Sequence, residues 1–145
     1  MPTFSNPVED AADARESVRA LAHASRAFRD PADTYQVVGE LLGTLRSLEQ
    51  VLEQVAAAHV RDQGRAFLDN GDRSGGLIEA DSAARALRRA AAAIGQAERA
   101  VDEASQRSGR IAWHPAPVGD EPGLDPFSRD PFDGPPLNSR RGLSL

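Results

Sequence analysis

Histidines are the residues best suited to metal or proton chemistry, and the three here are scattered: His23, His59 and His114. Neither a His-x-x-x-His nor a Glu-x-x-His pair occurs, so no two such ligands share a helix face. The absence of cysteine removes thiolate ligands, thiol nucleophiles and disulfides together. No Gly-x-Ser-x-Gly elbow is present to expose a serine nucleophile. Gly71, Gly75 and Gly76 follow no strand and do not form a phosphate-cradling pattern. The loop Asp69-Asn70-Gly71-Asp72 lacks the alternating ligands and distant Glu of a calcium loop. Glu40, Glu49 and Glu53 read as a solvated helix face rather than a catalytic pair. The expectation is a chain without enzymatic activity, metal or cofactor.

The elements that would position any such residue are helices. Asn6-Pro7-Val8-Glu9 is a start signal, with Asn6 as cap, Pro7 in the first turn and Glu9 completing a capping box. Ala11, Ala14, Val18, Leu21 and Phe28 then give a weakly apolar face over a helix of about 7–29. Asp30-Pro31 repeats the start signal and must break the first helix, because proline disfavours the α conformation at Asp30. The second helix, about 31–68, carries Leu41, Leu45, Leu48, Leu52 and Val55 at the 3,4 spacing of a packing seam, flanked by Leu42 and Val51. So wide a stripe suits two neighbours rather than one, and makes Leu42 and Val51 candidate self-association residues. Asp69–Gly76 reads as a turn.

A third helix is expected over about 77–108. Its seam alternates large Leu87, Ile94 and Val101 with small Ala90 and Ala97. Alanine separates neighbouring backbones by only a methyl group, so the second helix offers bulk and the third offers hollows. A short turn between two long helices makes them antiparallel neighbours. The predicted fold is all-α: a long antiparallel helical hairpin plus a shorter N-terminal helix folded against it, as a three-helix bundle or a helical oligomer. Residues 1–113 form this helical region. Ile111 and Trp113 follow it, with Trp113 expected as a lid on the bundle end.

Composition limits the rest. Hydrophobic residues are 40% of the 145, but 25 of them are alanine, too thin a stock for an apolar-walled pocket. All 17 basic residues are arginine, and the net charge is −5. That balance disfavours broad attraction to nucleic acid or anionic membranes. A local patch of Arg85, Arg88, Arg89 and Arg99 on the third helix remains, and makes nucleic-acid binding the alternative reading. No aromatic residue interleaves it. No apolar run is long enough for a bilayer, and the start Met1–Asn6 lacks the cationic and apolar parts of a leader. A cytoplasmic, bacterial protein with no membrane contact is expected, its arginine and alanine usage fitting a GC-rich genome.

Residues 114–145 hold seven prolines, four glycines and five acids, counting from Pro115. Such a stretch cannot offset its ordering entropy and is expected to be a disordered tail. Asp125-Pro126-Phe127 and Asp130-Pro131-Phe132 repeat within it, and Phe127 and Phe132 are its candidate partner-binding anchors. The doubled tripeptide resembles the short peptides read by eukaryotic endocytic adaptor domains, over three residues twice. A helical hairpin of this length also resembles the small Trp-x-Gly substrates of bacterial type VII secretion. That resemblance implies a secreted helical effector. The turn Asn70-Gly71-Asp72-Arg73 carries no Trp, however, and the only tyrosine is Tyr35, outside the tail where that family's export signal would lie. The functional expectation is a non-enzymatic interaction or scaffold protein with protein partners, itself among them.

Overall fold

Three α-helices and one short 3-10 turn organise the chain in a computed structural model, which describes residues 2–115. The stretch from 116 onward lies outside the described residues, and with it the tail expectation and both Phe127 and Phe132. Helix α1 runs Pro7–Ala24, α2 runs Asp33–Arg61 and α3 runs Arg73–Ser108. No strand occurs among the described residues. The architecture is all-α: a long antiparallel hairpin of α2 and α3, preceded by a shorter helix.

Helices α1 and α3 start where a side chain satisfies free backbone donors, whereas α2 has no side-chain cap of its own. Asn6 Oδ1 accepts from the amides of Val8 (3.2 Å) and Glu9 (3.4 Å). Asp30 Oδ1 accepts from Ala32 N at 2.9 Å, so it caps the turn that leads into α2 rather than α2 itself. Asp72 Oδ1 accepts from Ser74 N at 2.9 Å and starts α3. This cap is near the hinge of the hairpin. Asp72→Ala is expected to cost about 0.5–2 kcal/mol, the usual range for a lost N-cap, read as a lower urea midpoint with an unchanged slope. Asn6→Ala, at the isolated α1, should leave that midpoint where it is.

Two helix ends differ from the sequence expectation. Helix α1 stops at Ala24, not near Arg29, and unwinds through weak 3-10 bonds from Arg26 to His23 and Ala27 to Ala24. No close backbone packing links α1 to α2 or α3, so nothing tertiary holds its last turns. The expected docking of the first helix on the hairpin is therefore not seen. Helix α2 stops at Arg61, not Leu68, and the chain turns back through a 3-10 turn over Gln63–Arg65.

The stretch Asp72–Gly76, read from sequence as part of a turn, is the first turn of α3. Its glycines serve close approach rather than flexibility. A Cβ on Gly76 would lie 2.5 Å from the carbonyl carbon and oxygen of Ala66 and from Cα of Phe67. The returning chain thus lies directly on the start of α3. Leu68 N donates to the Asp72 carbonyl (2.9 Å), and Gly71 N donates to the Leu68 carbonyl (2.8 Å). Gly71 has φ +84°, a left-handed conformation that favours glycine.

Candidate interaction surface

Heptad spacing and antiparallel direction together decide what each face of the hairpin presents. On α3 the positions turned to α2 include Leu77, Ala80, Ala84, Leu87, Ala91, Ile94, Glu98, Val101 and Ser105, all buried or half-buried. On α2 the facing positions are Leu42, Leu45, Glu49, Leu52, Ala56 and His59. Leu42 is 9% exposed, Ala56 and Ala84 0% and Ala91 1%, and these four are the buried apolar residues of the described chain. No large side chain is fully buried there.

This seam lies one residue away from the expected one on part of each helix. Leu41, Leu45, Leu52, Leu87, Ile94 and Val101 are half-buried, but Leu48, Val55, Ala90 and Ala97 are exposed. Leu42, expected to serve self-association, is instead enclosed against α3 and unavailable to a partner. Val51 is exposed on the flank. The physical reason is that alanine carries no register. At Ala83-Ala84 and Ala90-Ala91 both candidate positions carry a methyl group, so over that stretch either seam fits the pattern.

Polar groups cross the hairpin on one side only. Arg46 Nε donates to Glu98 Oε1 at 2.6 Å, joining the two helices. This hydrogen bond and the charge of Glu98 hold the Arg46 guanidinium above its ordinary pKa, with a smaller contribution from Asp102. Glu49 occupies a seam position because Gly95 makes room for it, and a Cβ there would be 3.0 Å from Glu49 Oε1. At the far end the Tyr35 ring lies over Gly109, whose Cβ would be 3.2 Å from Tyr35 Cε2. Trp113 is half exposed, so the expected Trp lid does not close that end.

The opposite side of the hairpin is uncharged along its middle, where the same α3 spacing reaches Glu79 at one end and Arg107 at the other. On α2, Val37, Leu41, Thr44, Leu48, Val51, Val55 and Ala58 follow strict 3,4 spacing. On α3, Ala83, Ala86, Ala90, Ala93, Ala97, Ala100 and Ala104 do the same. Each stripe sits about 100° from its own seam, since its positions precede seam positions by one residue. Antiparallel helices carry the same offset to the same side, so the two stripes adjoin as one face. Leu48, Val51 and Val55 are 42%, 49% and 40% exposed on it. The α3 alanine stripe was not singled out from sequence as a surface. Its signal was there: seven alanines at heptad spacing without a charge.

The remaining candidate residues fall elsewhere. Arg85 is paired with Asp81. Arg88, Arg89 and Arg99 are exposed, lie away from the uncharged face, and have no ion-pair partner among the described residues. His59 Nδ1 bonds the Val55 carbonyl of its own helix at 2.8 Å, while His23 and His114 are exposed. No three His, Asp or Glu side chains converge as a metal site among the described residues. None of the described helices is long and apolar enough to cross a membrane. Comparison with family models, with curated proteins and with solved structures finds no match to this chain.

Proposed function

We propose that this chain is a non-catalytic helical interaction module whose working surface is the uncharged side of the α2–α3 hairpin. The observation that carries the reading is the pairing of an uncharged, partly exposed apolar stripe with a sparse core. Among the described residues no large side chain is fully buried and Leu42 is the one large residue in the core, yet Leu48, Val51 and Val55 stay 40–49% exposed. Burying an aliphatic side chain of this size is worth about 1.5–3 kcal/mol, and contiguous apolar patches of this kind mark association sites. The arginine side supports nucleic-acid binding less well, because Arg85 is neutralised by Asp81 and the chain carries net charge −5. A cytoplasmic setting belongs to the same proposal.

A photo-crosslinking residue tests the reading directly. Placed at Val51 in the producing cell, it is expected to give a protein adduct after irradiation. Placed at Arg89, on the other side of the hairpin, it should give none. Equal yields from both positions, or none from Val51, would remove the reading.

A further inference from the structure

The occupant of the uncharged face can be read from its own shape. The face is two-toned: α2 supplies bulk in Leu41, Leu48 and Val55, and α3 supplies methyl-lined hollows in Ala90, Ala97 and Ala104. On it, between Ala83 and Ala104 of α3 and between Val37 and Ala58 of α2, no charge has to be matched or desolvated. Helix α2 has 29 residues, about 43 Å at 1.5 Å per residue. Two helices 8–10 Å apart make a strip about 20 Å wide. Over the stretch from Val37 to Ala58, about 33 Å long, the face thus measures about 650 Å², within the roughly 600–1,000 Å² that each partner commonly contributes to a stable interface. Helix α1, with 18 residues, is about 27 Å long and too short to cover it.

We infer that the face is covered by a second copy of this chain, with α2 of each copy lying on α3 of the other. This rests on the interaction-module reading and names its partner. A twofold axis parallel to the helices produces this arrangement. It turns one hairpin face down onto the other, sets large residues over alanines at both contacts, and keeps every neighbouring pair of helices antiparallel. A twofold axis across the helices would instead stack α2 on α2 and alanine on alanine, leaving bulk against bulk and gaps beside it. Rotation about the parallel axis also keeps each residue at its own height. Within one chain Arg46 meets Glu98, Glu49 meets Gly95 and Tyr35 meets Gly109, which fixes the register. Leu48 therefore faces the partner's Ala97, and Leu41 the partner's Ala104.

The chain has no cysteine, so introduced thiols are the only ones present. A Leu48→Cys chain mixed with an Ala97→Cys chain and oxidised is expected to yield the mixed disulfide as the main covalent product. Leu48→Cys alone should yield little, because its two copies lie diagonally across the bundle, beyond the roughly 7 Å Cα separation that a disulfide tolerates. Leu41→Cys with Ala104→Cys is an independent second pair, should the first disturb folding. Dominant Leu48–Leu48 or Leu41–Leu41 bridging would overturn the arrangement. Absence of every bridge would overturn the second copy as occupant. In that case adducts at Val51 with a different chain would leave the interaction reading standing, and their absence would remove both.

Discussion

Gly76→Ala is expected to lower the melting temperature of the hairpin by about 10 °C, from an overpacking cost of about 1–3 kcal/mol at 4–8 °C per kcal/mol. The added methyl group would meet main-chain atoms of Ala66 and Phe67 at 2.5 Å, and a backbone cannot swing aside as a flexible side-chain tip can. Relief would require the whole returning segment to lift, which strains the Leu68–Asp72 and Gly71–Leu68 hydrogen bonds beside it. The matched control is Gly43→Ala. Nothing lies within 4 Å of a Cβ there, and the position is inside α2. Alanine should therefore stabilise by about 0.5–1 kcal/mol through its better helix propensity. Thermal melts of the two variants should move in opposite directions. A neutral or stabilising Gly76→Ala would show that the returning chain does not lie on α3.

Ala91→Leu is the second large effect. Ala84 and Ala91 are the most enclosed side chains of α3, at 0% and 1% exposure, and α2 approaches closely at both. Three extra carbons at either site must push the helices apart or twist a rotamer, again at about 1–3 kcal/mol, occasionally more. Ala92→Leu, one residue on and exposed, should stay within about 0.5 kcal/mol. Urea midpoints separate the two, because the loss at Ala91 exceeds the whole range expected at Ala92. If Ala91→Leu is harmless while Ala90→Leu is severe, the seam has the register that heptad counting alone suggests, and the structural seam is wrong.

That contrast shows where the sequence is informative. The start of α1 was legible from its cap at Asn6, but that of α3 was not, because Asp72 lies in a glycine-rich stretch that reads as a turn. The antiparallel hairpin was legible from two long periodic segments and a short turn. Register was not. On α2, residues 41, 48 and 55 and residues 42, 49 and 56 both lie at packing spacing, and the first set is uniformly apolar while the second contains Glu49. Hydrophobic counting prefers the first set, yet the second makes the seam, because Gly95 accommodates the Glu49 carboxylate across the interface. A glycine in the middle of a 36-residue helix was the available clue. Gly75-Gly76 misled in the opposite sense: paired glycines read as a turn, but the pair sits inside α3 where another backbone crosses it. Arg85, Arg88, Arg89 and Arg99 are exposed on α3.

The central claim is that the uncharged side of the hairpin is covered in solution by a second copy. Sedimentation equilibrium at high micromolar concentration, run on the full chain and on Val51→Glu, tests it most directly. A carboxylate on that face would be buried without a partner in the two-copy assembly, a cost that corresponds to at least about a hundredfold weaker association. The account predicts twice the 15.5 kDa chain mass for the parent and a single chain mass for Val51→Glu, with the helical circular dichroism of the hairpin retained in both. A single chain mass for the parent, or an assembly that Val51→Glu leaves intact, would contradict it.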